Sequence, residues 1–328
     1  MEEMGGQKFE VRTDLALEES ERFHGDGGEI SGVSVKEWEK KEAGIRLTEV
    51  VVRNEAGARK MGKPAGTYLT LEAPALAKKD QDYHREVAGE LAAQLLRLFA
   101  RHGIGGERGI PAILVVGLGN PDATPDALGP MVLDHLQMTR QFFLHYGKEF
   151  CEKNGYPILS GITPGVMAQT GMETAEIVKG VIRETRPDAV LVVDALAARS
   201  AHRLGVTIQI SDTGIHPGSG VGNHRNSLTK ESLGVPVFAL GVPTVVGAAS
   251  IVQDTVEAMT EALRGNQGME AYGGMVEDMD PEEQYELIRE ILEPKFGPMY
   301  VTPHDIDERV ENLSFTISEA IHGALFQG

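Results

Sequence analysis

Hydrophobic and polar positions divide the chain into helix-like and strand-like stretches from about residue 45 onward. The first forty residues are charged and irregular, with a glycine-rich break at residues 25–28, and we interpret them as an arm or loop. Partial alternation predicts strands at residues 45–53 and 67–72. A strong helix is predicted over residues 82–100, where apolar side chains recur at helical spacing; they are Val87, Leu91, Leu95 and Leu98.

The hydrophobic pattern changes at residue 111, where continuous apolar runs begin. Apolar strands are predicted at 111–120, 189–196 and 235–241, with an alternating strand at 206–211, and helices at 127–143, 174–185 and 245–263. Apolar strands separated by helices favour an α/β fold with a mostly parallel central sheet, helices on both faces and an N-terminal extension. The predicted core spans residues 109–265; residues 265–281 are predicted to form an exposed excursion, followed by helices at 281–292 and 305–325.

Composition narrows the class of protein. The chain has 328 residues, 41% of them hydrophobic, which is enough to bury a large core in one or two domains. A formal net charge of −18 at pH 7 disfavours binding to nucleic acid or to anionic membranes. The single cysteine, Cys151, excludes an internal disulfide and a zinc site of several thiolates, which indicates a cytosolic protein.

The glycines that follow the first apolar strand raise the possibility of a dinucleotide-binding site. Gly117 and Gly119 fit the start of the Gly-x-Gly-x-x-Gly fingerprint, but the third position is Asp122 and the preceding residue is a proline. The fingerprint therefore fails. The chain also lacks a phosphate-binding Gly-x-x-x-x-Gly-Lys-Ser/Thr sequence.

Two aspartates follow apolar strands and carry the main chemical hypothesis. Asp126 lies just beyond the strand at 111–120, and Asp194 ends the strand at 189–196. Two carboxylates in one cleft could share a proton and act as acid and base toward water. Structural alternatives stay open: Asp126 could cap the next helix, and Asp194 could pair with Arg199 or with backbone amides.

A glycine-rich segment, residues 211–223 (SDTGIHPGSGVGN), is a third candidate element. Its residues Gly218, Gly220 and Gly222 would let the backbone approach a ligand and aim amides at it. His216 is a possible metal ligand, although a structural role is the simpler interpretation, and Ser219 has no evident base partner. The alternative is a plain flexible loop.

Five segments together resemble the germination proteases of endospore-forming bacteria. They are residues 115–130 (VVGLGNPDATPDALGP), 193–199 (VDALAAR), 211–223, 241–246 (GVPTVV) and 11–18 (VRTDLALE), the last being similar to the family's propeptide junction. The resemblance runs from about residue 9 to the C-terminus and is densest over 113–250.

The resemblance implies an endopeptidase that hydrolyses small acid-soluble spore proteins during germination. It implies a proenzyme that cleaves itself, a homotetramer, and a cytoplasmic location in the forespore and spore core. The family's two essential aspartates fall on Asp126 and Asp194, in an atypical aspartic mechanism without metal or other cofactor. The core is similar to that of hydrogenase maturation proteases.

The same resemblance predicts where the chain is cut. Thr13-Asp14-Leu15-Ala16 reproduces the pattern of an acid after Thr and before an apolar residue and Ala, in an arm expected to be exposed. Cleavage between Asp14 and Leu15 would leave a propeptide, 1–14, and a single domain, 15–328, whose C-terminal helices occupy 281–328. Repulsion between an ionised Asp14 and the cleft is expected to slow cleavage near neutral pH.

One position departs from the family pattern, and two other functions stay open. An acid is expected where this chain has Gly247, so any role of that acid is in doubt here. The alternatives are a metal-dependent maturation peptidase that uses the aspartates with His216, and a binding protein that has lost catalysis. We expect His216 and the Gly218–Gly220 segment, with Ser219, to help bind substrate and the developing oxyanion.

Overall fold

A computed structural model describes residues 13–24, 30–78, 80–106, 109–216, 227–264 and 281–326. Its helices are α1 (Ala16–His24), α2 (Glu55–Met61), α3 (Gln81–Arg101), α4 (Leu128–Asp134), α5 (Arg140–Lys153), α6 (Met167–Thr170), α7 (Thr174–Thr185), α8 (Lys230–Leu233), α9 (Ala248–Arg264), α10 (Pro281–Phe296) and α11 (Ile306–Leu325). Its strands are β1 (Val33–Lys40), β2 (Ile45–Val52), β3 (Gly66–Glu72), β4 (Ala112–Gly117), β5 (Ile158–Ile162), β6 (Ala189–Ala198), β7 (Thr207–Ser211), β8 (Val237–Gly247) and β9 (Tyr300–Val301).

The strands form one sheet in the order β1-β2-β3-β7-β8-β6-β4-β5, with β9 added to the end of β8. Strands β5, β4, β6 and β8 run parallel. The other pairings are antiparallel. Among the described residues, five of eight pairings are therefore antiparallel, and the prediction of a mostly parallel sheet is wrong. The α/β class holds, with a mixed sheet.

A short connection explains one of the antiparallel pairings. Only residues 41–44 join β1 to β2, and a turn of that length can join antiparallel neighbours but cannot form a parallel crossover. The apolar pattern of β2 and β3 shows that they are buried, but a buried strand has the same pattern in either direction. The direction of these strands was therefore not readable from hydrophobicity alone.

Helices cover both faces of the parallel half. On one face, α3, α4 and α11 pack on the apolar side chains of β4, β6 and β8, including Ile113, Leu191 and Leu240. On the other face, α7 and the segment leading into α8 cover Leu114 and Val192. Each strand thus alternates between two apolar layers, as its continuous apolar sequence requires.

The single helix predicted over residues 127–143 is instead two helices, α4 and α5. Between them, Thr139 binds β5: its N–H donates to the Leu159 carbonyl at 3.0 Å, and its hydroxyl accepts from Leu159 N–H at 3.0 Å. These bonds hold the backbone of Thr139 against the strand, so the first helix ends before it. By contrast, α3 and α7 occur where the periodicity predicts them.

The first forty residues, expected to be irregular, contain regular structure in the part that the structure describes. Residues 16–24 form α1 and residues 33–40 form β1. The expected excursion at 265–280 lies outside the described residues. Within the described chain, none of the helices combines the length and the apolar content needed to cross a membrane.

Candidate active site

The loop after β4 brings Asp126 to the part of β6 that contains Asp194, which lies inside this strand, four residues before its end. Beyond β4, the Leu118 N–H donates to the carbonyl of Val193, the residue before Asp194, at 2.8 Å. Gly129, just after the Asp126 turn, lies so close to β6 that an added Cβ would come 2.7 Å from the same carbonyl oxygen. The loop that carries Asp126 is therefore fastened to β6 next to Asp194.

Asp126 ends a 3₁₀ turn, Thr124–Asp126, and does not cap the next helix. The N-cap of α4 is Ala127, and no side chain caps that helix end. The Asp126 carboxylate instead accepts a hydrogen bond from the backbone N–H of Asn120 at 2.8 Å. Thr244 of β8 donates its hydroxyl to the Pro125 carbonyl at 2.6 Å. The helix-cap alternative is thus wrong.

Gly119 makes the close approach of this turn possible. Its φ is +116°, and an added Cβ would lie 1.8 Å from the Asp126 carbonyl oxygen and 3.2 Å from a carboxylate oxygen of the same residue. A side chain cannot be placed there without moving the turn. The glycine at this position is therefore a requirement of the Asp126 loop and not of a nucleotide.

Asp194 is buried in β6, where only 7% of it is exposed. Its carboxylate accepts from the Ala195 N–H at 3.0 Å, so the backbone-amide part of the structural alternative is confirmed. Its cross-strand partner in β8 is Gly241, which has no side chain.

The predicted cleavage segment lies against the end of β6, and the expectation of an exposed arm is wrong for residues 13–20. The Asp14 N–H donates to the Ala197 carbonyl at 3.1 Å, and the Ala197 N–H donates to the Asp14 carboxylate at 2.9 Å. The Leu15 side chain is fully buried in an apolar cluster with Leu196, Ala198, Leu204 and Val246. We call residues 13–16 the strap.

Glu18 fastens the strap to the turn after β6. Its carboxylate accepts from the backbone N–H groups of Arg199 at 2.8 Å and Ser200 at 3.1 Å, and from the Thr13 hydroxyl. The Arg203 guanidinium lies 3.3 Å away. Burial raises the pKa of Glu18 above its usual value, against the lowering effect of these hydrogen bonds and of Arg203. The carboxylate is thus a buried, densely bonded anchor.

A small cleft lies beside the strap on the same face of the sheet. Its walls are formed by Lys63, Tyr68, Gln209, Ser211, His216, Leu196 and Gly241, among others, and Asp14 lies in it. Burial, and to a lesser degree the charge of Lys63, lower the pKa of His216. His216 therefore lies beside the predicted cleavage segment, as the sequence hypothesis allowed, next to a cation.

The remaining predicted site residues cannot be placed. Gly218, Ser219 and Gly220 lie outside the described residues. In the described ranges, no group of three His, Cys, Asp or Glu side chains is arranged to hold a metal ion. The metal-dependent alternative therefore gains no support from the residues that can be placed.

Sequence reasoning missed Lys63 and Gln209, which contact the strap directly. Lys63 stands in a short connection between α2 and β3, where a lysine is unremarkable. Gln209 gave a weak indication of such a contact, because it is a large polar side chain inside the short strand β7 and is 91% buried. A buried glutamine needs partners, and the strap supplies them.

Comparison with known proteins shows that this α/β protein is of the peptidase class. The chain belongs to the germination protease family: the family model described as germination protease matches residues 10–265. The germination protease of Caldanaerobacter subterraneus subsp. tengcongensis is 44% identical over 319 residues, which cover 97% of this chain and 95% of the relative. That of Clostridium tetani is 42% identical (96% and 95%), and that of Bacillus cytotoxicus is 38% identical (97% and 94%).

Proposed function

We propose that this protein is a self-activating endopeptidase that hydrolyses small acid-soluble spore proteins during germination, with Asp126 and Asp194 as its catalytic pair. Membership of the family supports a protease that acts in spores. The observation that carries the proposal is the position of the strap. A segment with the expected cleavage pattern lies against the end of the strand that contains Asp194.

The chemistry needs one acid and one base. An ionised aspartate takes a proton from water while the oxygen adds to the carbonyl carbon, and a protonated aspartate gives a proton to the departing nitrogen. Asp126, bonded to the Asn120 N–H, and Asp194, buried in β6, stand in different environments. In the proposed mechanism one of the two is ionised and the other is protonated, and the pair titrates as a unit.

The proposal includes the finer points implied by the resemblance. Residues 1–14 are the propeptide, residues 15–328 form the endopeptidase domain, the protein is a homotetramer, and it acts in the spore cytoplasm. Gly247 stands six residues along β8 from Gly241, the cross-strand partner of Asp194, which is roughly 20 Å of strand. An acid at that position would not reach Asp194.

Hydrolysis of a synthetic peptide that contains Thr-Asp-Leu-Ala tests the proposal. Asp126→Asn and Asp194→Asn should each remove nearly all cleavage, and the double variant should be little worse, because acid and base act as a unit. Asp122→Asn is the matched control, since Asp122 is an exposed aspartate in the same turn and should cut at the wild-type rate.

Either single variant with near-wild-type activity would remove that aspartate from the mechanism. Exhaustive chelation should leave wild-type cleavage intact. If bound zinc or nickel were lost together with activity and both returned on adding the ion, the metal-dependent alternative would replace the proposal.

A further inference from the structure

The carbonyl oxygen of Asp14 lies between two hydrogen-bond donors of the protein. The Lys63 ammonium donates to it at 3.2 Å, and the Gln209 side-chain amide also donates to it at 3.2 Å. Lys63 makes a second bond, at 2.9 Å, to the Thr13 carbonyl. The doubly bonded oxygen belongs to the peptide bond that the proposed function places at the cut.

Gln209 holds this peptide bond from both sides. Its amide nitrogen donates to the Asp14 carbonyl, and its amide oxygen accepts from the Ala16 N–H at 2.7 Å. One side chain therefore fixes the strap immediately before and after the Asp14–Leu15 bond. A bond fixed in this way has its carbonyl carbon in one defined orientation, which hydrolysis requires.

The register of the sheet places Gln209 in one row with Asp194. Asp194 pairs with Gly241 across β6 and β8, and Gly241 pairs with Gln209 across β8 and β7. Residues opposite each other in a sheet point to the same face, so Asp194 and Gln209 stand on one face, and Gly241 lies between them in the backbone register. Two strand spacings separate their backbones, about 10 Å.

The Leu196 side chain lies over Gly241 in this row. An added Cβ on Gly241 would lie 2.6 Å from Leu196, so the glycine makes room for that side chain. Leu196 follows Asp194 by two positions in β6 and lines the cleft together with Asp14 and Gln209. The peptide bond held by Gln209 therefore lies on the face of the sheet toward which Asp194 points, beside Leu196.

We propose that Lys63 and Gln209 are catalytic residues that bind the carbonyl oxygen of the bond to be cut and stabilise its negative charge. This inference rests on the proposed function. Water adds to the Asp14 carbonyl carbon and gives one proton to an aspartate, and the oxygen becomes an oxyanion held by Lys63 and Gln209. The intermediate then collapses, the C–N bond breaks, and the Leu15 nitrogen takes a proton from an aspartate.

Such donors act most strongly when charge develops on the oxygen. Removal of a single oxyanion donor typically slows catalysis by about 100- to 1,000-fold. An ammonium and an amide supplied by side chains take the role that backbone amides have in many peptidases. The Gly218–Gly220 segment, expected from the sequence to supply such amides, lies outside the described residues, so its role stays a prediction.

Self-conversion of the full-length chain tests the inference, because the strap itself is the substrate. The first-order rate of loss of residues 1–14, followed by intact mass, should fall about 100-fold in Lys63→Met and in Gln209→Glu. Gln209→Glu keeps the acceptor for the Ala16 N–H, loses the donor and, when ionised, adds a negative charge beside the developing oxyanion. Lys63→Arg retains a cationic donor and should recover at least a tenth of the wild-type rate.

A merely structural role predicts a different result. If Lys63 and Gln209 only held the strap in place, their loss would lower the melting temperature and leave the conversion rate unchanged or raise it. The matched control is Lys60→Met, which removes an exposed lysine of α2 and should convert at the wild-type rate.

Failure of this inference is separable from failure of the proposed function. If Asp126→Asn and Asp194→Asn stop conversion while Lys63→Met and Gln209→Glu convert normally, the two donors have no catalytic role and the aspartate pair stands. If the aspartate variants also convert normally, the proposed function itself is overturned.

Discussion

At the scale of single residues, the site depends on positions that place a carboxylate as much as on the carboxylates. Gly119→Ala should lower peptide hydrolysis by about 100-fold, because an added Cβ would lie 1.8 Å from the Asp126 carbonyl and the turn would have to move. The steady-state rate with a Thr-Asp-Leu-Ala peptide measures this. Gly180→Ala, in α7 with open space around it, should keep full activity and stabilise the protein by about 0.5–1 kcal/mol. Unchanged activity in Gly119→Ala would show that the turn is not part of the site.

Glu18 gives a prediction for the dependence of stability on pH. Burial raises the pKa of this carboxyl in the folded protein above its usual value. As the pH rises past the usual pKa, the folded state therefore binds more protons at Glu18 than the unfolded state does. The contribution of Glu18 to stability therefore falls as the pH rises above about 4.5. The difference in unfolding free energy between wild type and Glu18→Gln should decrease from pH 4.5 toward neutral. Denaturant unfolding at a series of pH values measures it, and a difference that grows with pH would contradict this account.

The direction in which Glu18 changes stability with pH is relevant to the proposed cleavage of the strap. Acidification favours the folded, strapped state through this residue, so Glu18 is not the group through which low pH would release the strap. From the sequence, we expected repulsion between an ionised Asp14 and the cleft to slow cleavage near neutral pH. In the structure the Asp14 carboxylate accepts from the Ala197 N–H, and Lys63 lies in the same cleft. Both contacts oppose that repulsion.

The sequence indicated only some of the proposed site residues. Asp126 and Asp194 were predicted because each follows an apolar stretch, and a charged residue there breaks the hydrophobic pattern. Lys63 and Gln209 act through contacts with residues 49 to 195 positions away in the chain. Periodicity carries no information on such contacts, so these two residues required the structure.

At the scale of secondary-structure elements, the strap and α1 are part of the folded protein. Leu15→Ala should destabilise the protein by about 2–4 kcal/mol, because it leaves a cavity among fully or nearly fully buried apolar side chains. Denaturant unfolding gives the value. Leu144→Ala is the control, since that side chain is 61% exposed and its loss should change stability by less than about 0.5 kcal/mol. Equal effects of the two changes would mean that the strap is not packed as described.

Elements with one strong periodicity were predicted well, and those stabilised by distant partners were not. Periodicity placed α3 and α7 within a residue or two of their ends. β1 was missed because it is a half-exposed edge strand with the charged sequence VSVKEWEK, which has little apolar alternation. The break between α4 and α5 was missed because it depends on bonds from Thr139 to β5. Local pattern thus predicts an element when its own apolar face determines it.

At the scale of the whole molecule, the proposed pair of aspartates and the strap both lie on one mixed sheet. The parallel half brings the ends of β4 and β6 together, and the antiparallel half supplies Gln209 from β7. The strap crosses from one half to the other, since Asp14 contacts both Ala197 and Gln209. A protein that holds its own cleavage segment in this way needs no partner chain for the first cut, so conversion should be first order and independent of protein concentration.

The central claim is tested most directly by the mass of the purified full-length protein as it converts. We predict that wild type loses residues 1–14 and that N-terminal sequencing of the product begins at Leu15. Asp194→Asn, measured beside it at the same concentration, should keep its full mass. A wild-type product that begins elsewhere, or an Asp194→Asn chain that shortens at the wild-type rate, would contradict the account.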